Sequence, residues 1–220
     1  MKEESVSRGI LGLGAVSTAF YIKEIHRKYQ VMNAEFSAFP FIMYQIDFQE
    51  INRFLPNQFS VLIPTIQNYL DKFSESGISK LLIPNITLHE TLDQIRIPIE
   101  ICHPVNLTLK YLDENQIEEV YLFGTLYTMN SEYLQSKFSE KRIKILKPIE
   151  TDQIWIDHFR KKVYDEIATS DDINFFQNLL KKYAAEKPVV IACTELSVFA
   201  PKENPSCIDM MHLQIEEFLK

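Results

Sequence analysis

The chain has 220 residues, 46% of them hydrophobic and 24% charged, which suffices for one large domain or for two lobes of about 100 residues each. A net charge of −7 with no basic run works against nucleic acid or an anionic membrane as the main partner. The cysteines, Cys102, Cys193 and Cys207, are too few and too scattered for a disulfide framework and suit a reducing cytoplasm, and no CxxC or HxxxH spacing suggests a metal site.

Taken in order, the pattern alternates between strands and helices. Residues 8–13 (RGILGL) read as a short buried strand, and 17–29 as the helix after it, with Ser17 or Thr18 available as N-cap. The apolar stretch 9–22 is too short to span a bilayer, has no cleavage pattern and carries three glycines, so strand, turn and helix describe it better than a leader. Residues 41–46 form a second apolar run. Helical spacing of Leu62, Ile63, Ile66, Tyr69, Leu70 and Phe73 predicts a helix over 57–75, ended by Gly77. A strand at 80–84, a short helix at 86–94, a helix at 105–115 and a strand at 119–123 follow. Helices at 131–140 (with Ser131 as cap), 152–167 and 171–186 precede a strand at 188–192, and 208–220 has the pattern of a docking helix.

Short apolar strands between long helices predict an α/β protein with mostly parallel sheets covered on both faces. The sequence also repeats itself. Gly14-x-x-x-Thr18 recurs as Gly124-x-x-x-Thr128, an offset of 110, and the turn at Asn85-Ile86-Thr87 recurs as Cys193-Thr194-Glu195, an offset of 108. The expectation is two similar, pseudo-two-fold related lobes with a ligand cleft between them: 1–104 with 208–220, and 105–207 carrying Cys193. In open α/β sheets ligands bind at the carboxyl ends of strands, where these turns lie.

Several of these segments together resemble the aspartate/glutamate racemase superfamily, which works without a cofactor. Gly9-Ile-Leu-Gly12-Leu-Gly14 with Ser17-Thr18 is similar to the family's opening glycine loop, and residues 44–51 to the segment after its second strand. Leu122-Phe-Gly124-Thr125-Leu-Tyr-Thr128-Met129 resembles its Gly-Thr-x-x-Thr-Met loop, Ala192-Cys193-Thr194-Glu195-Leu196 its second cysteine turn, and Asp209 with His212 its terminal Asp…His helix. Pro84-Asn85-Ile86-Thr87-Leu88-His89 stands where the family has Cys-Asn-Thr-x-His, so the first catalytic cysteine is missing; Asn85 occupies its place, or Pro84 if one residue is inserted, and Ile86 replaces a substrate-holding asparagine.

The resemblance implies a small amino or dicarboxylic acid as ligand, aspartate or glutamate by default, and a homodimer. Racemisation takes a proton from a carbon beside a carboxylate on one face and returns it on the other. A thiol suits that work when a modest pKa shift makes it a thiolate near neutral pH. Donors must stabilise the charge that spreads onto the carboxylate. Hydroxyls of Thr18, Thr87, Thr128 and Thr194 are suited to this, and the turns precede helices, whose N-termini favour anions.

With one cysteine, three outcomes are open: a racemase in which water or His89 serves the second face, a single-thiol decarboxylase or isomerase, or a homologue that binds without turnover. Cys193 is the acid/base candidate, with Glu195 to orient it or to pair with His212. Asn85 is either a carboxylate-binding donor or an arbitrary replacement. His89 is either a second acid/base or an anchor of its own turn. Gly14, Ser17, Thr18, Ile86, Thr87, Thr125, Thr128 and Thr194 are the substrate-contact candidates; Thr18 and Thr128 have helix capping as their alternative, while Thr87 and Thr194 flank the expected reacting carbon. Arg53 and Lys162 are candidate partners for a distal carboxylate, with a solvated face as the alternative. Cys102 and Cys207 read as structural.

Overall fold

A computed structural model describes residues 7–201 and 204–220. The chain divides into two compact units, Met1–His103 with Gln214–Lys220, and Pro104–Leu213. No described helix is long and apolar enough to cross a membrane.

The first unit contains β1 (Arg8–Gly12), α1 (Ala15–Met32), β2 (Ile42–Gln45), α2 (Gln49–Asn52), α3 (Phe59–Glu75), β3 (Lys80–Leu82), α4 (His89–Leu92) and β4 (Glu100–Ile101). Its strands form one all-parallel sheet in the order β2-β1-β3-β4. The second unit contains α5 (Pro104–Glu114), β5 (Glu119–Phe123), α6 (Leu126–Asn130), α7 (Glu132–Glu140), β6 (Lys144–Leu146), α8 (Glu150–Tyr164), α9 (Ser170–Ala184), β7 (Val189–Ile191), α10 (Thr194–Ser197) and β8 (Cys207–Asp209). Its sheet is again all parallel, in the order β6-β5-β7-β8. Each strand of the first sheet has its counterpart four strands later, which is the order a duplication produces. The last helix, α11 (Met210–Leu219), contains the boundary between the units.

The central strands are buried because both faces are covered. Leu81 and Leu82 in β3, and Val189, Val190 and Ile191 in β7, are wholly inaccessible. Around the first sheet pack Leu62, Ile66, Leu70 and Phe73, the stripe that gave α3 its helical spacing. Around the second pack Ile156, Phe159 and Val163 of α8 with Phe176, Leu179, Leu180 and Tyr183 of α9. Burial of one such side chain is worth about 1.5–3 kcal/mol, so these stripes hold the helices on their sheets.

Local chemistry explains most boundaries. The Ser131 side chain accepts from Leu134 N, and Thr169 with Asp172 forms a reciprocal capping box on α9. Gly77 takes φ +74 just past α3, a backbone conformation that suits glycine. Two expectations need correcting. Helix α1 begins at Ala15 with Gly14 as N-cap, so Ser17 and Thr18 lie inside its first turn and cap nothing in the usual sense. The segment from 208 is not all helix. Its first residues belong to β8, which pairs in parallel with β7 and keeps the chain in the second unit until Leu213.

The rest of α11 is fixed to the first unit by polar contacts. Buried Gln214 accepts from Tyr21 Oη at 2.5 Å and donates to the Cys102 carbonyl at 2.7 Å. Lys80, nearly buried, bonds Glu217 and Glu100, both at 2.9 Å.

Candidate active site

Cys193 follows β7 and is the N-cap residue of α10. It is 6% exposed and packs within the second unit's core. Its thiol donates to Glu195 Oε2 at 2.9 Å. Burial, then the Glu195 charge and that hydrogen bond, push the thiol well above its usual range, while the charge of Arg160 and the Glu195 backbone N–H act the other way. The expected easily formed thiolate is thereby corrected: the buried thiol keeps its proton and points it at a carboxylate. A thiol and a carboxylate holding one proton between them can supply it or, once Glu195 has accepted it, take one up.

The turn is pinned from behind. The Cys193 carbonyl accepts from Leu196 N and Ser197 N, both at 3.1 Å. Ser197 Oγ lies 3.2 Å from the same carbonyl and 2.9 Å from buried Asp209 Oδ1. Asp209 also accepts from Met211 N at 2.9 Å, and His212 Nδ1 stands 3.7 Å from its other oxygen. Burial raises the Asp209 carboxyl, and His212 opposes that rise. His212 is thus placed with Asp209, and Glu195 with Cys193. The chain Cys193–Ser197–Asp209 was not foreseen; a serine four residues past the cysteine, on the same side of a helical turn, is its sequence sign.

Beside this turn lies the one after β5. Thr125 caps α6, accepting from Thr128 N at 3.0 Å, and the two threonine hydroxyls are 2.9 Å apart. A Cβ on Gly124 would stand 3.2 Å from the Ala192 carbonyl and closer still to Thr128, so the glycine permits the close approach of this turn to the residue before Cys193. The Thr194 hydroxyl makes no hydrogen bond to a described residue and is the uncommitted donor nearest Cys193 in sequence. Helices α6 and α10 have five and four residues, too short to carry the helix-dipole argument the sequence suggested.

The first unit's counterpart is built differently. Asn85 is half-buried, and its Oδ1 accepts from Leu88 N at 2.9 Å. His89 is wholly buried and its Nδ1 lies 2.7 Å from the Asn85 carbonyl. His89 therefore bonds back to Asn85 as Ser197 does to Cys193, both at four residues' distance. Burial, and then the neighbouring His103, depress its basicity well below the usual histidine range; the two rings meet edge to face at 4.6 Å. A ring so enclosed is held to its own turn, which favours the anchoring role of the two open to it. Ile86 and Thr87 are half-buried, and the Thr87 hydroxyl makes no hydrogen bond to a described residue.

In the opening loop Ser17 Oγ donates to the Gly14 carbonyl at 3.1 Å, and Thr18 Oγ1 accepts from Leu13 N at 3.1 Å. Both hydroxyls are buried and shape the turn; Thr18 retains a proton to donate. Arg53 is exposed, with its cation 4.7 Å above the Phe54 ring. Lys162 bonds Asp172 at 2.7 Å and is the main cause of that carboxyl's fall to about 2, which commits it to joining α8 and α9. Cys102 is buried and pushed up to about 12, and Cys207 to about 11, both mainly by burial. Among the described residues no group of three His, Cys, Asp or Glu could hold a metal ion.

No protein-family model matches the sequence, and no curated protein matches it. Solved structures do match. A Yersinia pestis protein provisionally named an Asp/Glu racemase superposes with a TM-score of 0.82 at 19% identity, covering 96% of each chain. An aspartate racemase homologue from Pyrococcus horikoshii gives 0.80 at 15% identity, again with 96% of each chain covered. Picrophilus torridus aspartate racemase gives 0.76 at 19% identity, covering 97% of this chain and 92% of its own. At such identities the likeness is one of architecture. The chain has the two-sheet, all-parallel α/β fold of the aspartate/glutamate racemases.

Proposed function

We propose that the protein is a cofactor-independent isomerase of the racemase type, which moves a proton at the carbon beside a carboxylate, with Cys193 as acid/base and Glu195 as the partner that accepts the thiol proton. Aspartate and glutamate are the default substrates. The observation that carries this reading is the 2.9 Å hydrogen bond from the Cys193 thiol to Glu195, at a turn held by Ser197 and Asp209. The fold shared with solved racemases supports it, and so does the run of turn hydroxyls, of which those of Thr194 and Thr87 make no hydrogen bond to a described residue.

In this mechanism the thiol passes its proton to Glu195 and, as thiolate, removes the Cα proton; water protonates the opposite face of the carbanion, and the hydroxide left behind takes the proton held by Glu195, which resets the pair. Charge developing on the substrate carboxylate is met by hydroxyl and backbone donors. A homodimer is part of the reading and is checked by sedimentation.

A second reading has a specific observation behind it. The turn that corresponds to Cys193 in the first unit offers Asn85, Ile86 and Thr87, none of which exchanges protons near neutral pH, and His89 is turned inward. Such a site protonates from one face only, as a decarboxylase or isomerase of a small dicarboxylic acid requires. Chiral analysis separates the two. Incubation of L-aspartate or L-glutamate yields the D enantiomer under the racemase reading; carbon dioxide release or double-bond migration from a malonate- or maleate-like acid, lost in Cys193→Ala, supports the second. A protein that binds these acids but changes none of them, with Cys193→Ser binding equally well, removes both.

A further inference from the structure

We infer that Arg160, held in place by buried Asp157, is a carboxylate-binding residue of the second unit and presents the ends of its guanidinium to the acid substrate beside Cys193. The inference deepens the proposed function and rests on it for the identity of the ligand.

Asp157 lies on α8 among apolar neighbours and is 3% exposed, an unusual place for a carboxylate. Every contact it makes is structural. Its Oδ1 accepts from Leu126 N at 3.2 Å, the first residue of α6, and from Arg160 Nε at 3.0 Å, while Oδ2 accepts from Lys161 Nζ at 2.7 Å. Burial alone would raise this carboxyl, but the bonds from Lys161 and Arg160 hold it below its usual range, so it stays charged. One buried acid thus ties the Gly124–Thr128 turn to α8 and fixes the direction of a guanidinium.

That guanidinium is used at one corner. Arg160 bonds Asp157 through Nε alone, and neither terminal nitrogen reaches a described residue. The side chain is 27% exposed, so the fork is partly desolvated but open. A planar fork with two free ends suits a carboxylate bidentately. Helix α8 packs against both α6 and α10, the short helices that follow Gly124 and Cys193. The positive charge of Arg160 is also felt at the Cys193 thiol, where it opposes the effect of burial. By contrast, the other two cations raised by the sequence are occupied: Lys162 by Asp172 and Arg53 over Phe54.

The test is protection of Cys193 from iodoacetamide, followed residue by residue by mass spectrometry, with succinate and L-aspartate as probes. In the wild-type chain either acid slows alkylation of Cys193 in a saturable way. In Arg160→Gln the half-protecting concentration rises about ten- to a hundredfold, the cost expected for one charge-assisted pair. Arg160→Lys restores part of the loss, because the charge returns without the fork. An unchanged half-protecting concentration in Arg160→Gln, with thermal unfolding as in the wild type, overturns the inference, as does a wild-type chain that neither acid protects. If Arg160→Gln loses its fold, Arg160→Lys decides: protection equal to the wild type removes the bidentate role. Protection that depends on Arg160 in a chain showing no Cα exchange keeps the binding role and removes the catalytic reading.

Discussion

The turns after β3 and β7 occupy the same place in two sheets of the same strand order, and both are tied by a buried side chain four residues on. After β7 the residue is Cys193, whose thiol faces Glu195; after β3 it is Asn85, whose amide oxygen is spent on Leu88 N. The strand order is the same in both sheets, but only the second turn carries a thiol. The difference between the two turns is whether the first side chain satisfies its own backbone or holds a transferable proton, and on the proposed reading that difference decides which turn does chemistry.

The largest expected effect comes from removing that proton. Cys193→Ala should reduce Cα proton exchange by 1,000-fold or more, since no other described group in the turn replaces the thiol; rate loss on this scale is usual for an acid/base group that also carries the chemistry (about 10²–10⁴). Next, Glu195→Gln removes the carboxylate that receives the proton and lowers exchange by about 100-fold. It also removes two of the causes that raise the thiol, so Cys193 should alkylate at lower pH than in the wild type. A midpoint that stays in place would separate Glu195 from the thiol's titration.

His89 probes the structural turn. Its folded basicity is depressed by burial and His103, so the unfolded chain binds the proton first. Stability from this neutral, buried ring is complete above the unfolded value of about 6.5 and is lost as pH falls below it, by at most about 1.4 kcal/mol per pH unit. His89→Gln should be less stable at pH 7.5 yet show a flatter decline between pH 7 and 5 in thermal unfolding. The smallest effect is at Asn85. Asn85→Ala loses the acceptor for Leu88 N and about 1 kcal/mol, and Asn85→Asp recovers most of it. A loss of exchange in Asn85→Asp with stability intact would give this turn a part in chemistry.

The sequence carries the architecture well where periodicity is long. The α3 and α9 stripes, the strands of β5 and β7 and the repeated glycine-threonine spacing all lead to two similar units. It carries β4, β6 and β8 poorly, because strands of two or three residues at a sheet edge have no period to read. The Cys-Thr-Glu spacing puts Cys193 next to an acid, and the structure joins the two by a hydrogen bond, but the direction of the thiol's pKa shift depends on burial, which spacing does not encode. The sequence suggests Lys162, whereas the inferred carboxylate contact rests on Arg160 two residues earlier. The sign was the acid at position 157 on a face otherwise built of Ile156, Phe159 and Val163, since a carboxylate in an apolar stripe must be paired.

Deuterium incorporation at Cα from D2O, measured by mass spectrometry on aspartate and glutamate with the wild-type chain and Cys193→Ala side by side, tests the Cys193–Glu195 pair most directly. The account predicts uptake with the wild-type chain and none above the solvent background with the variant. Uptake that persists undiminished in Cys193→Ala would contradict it and place the proton transfer elsewhere in the molecule.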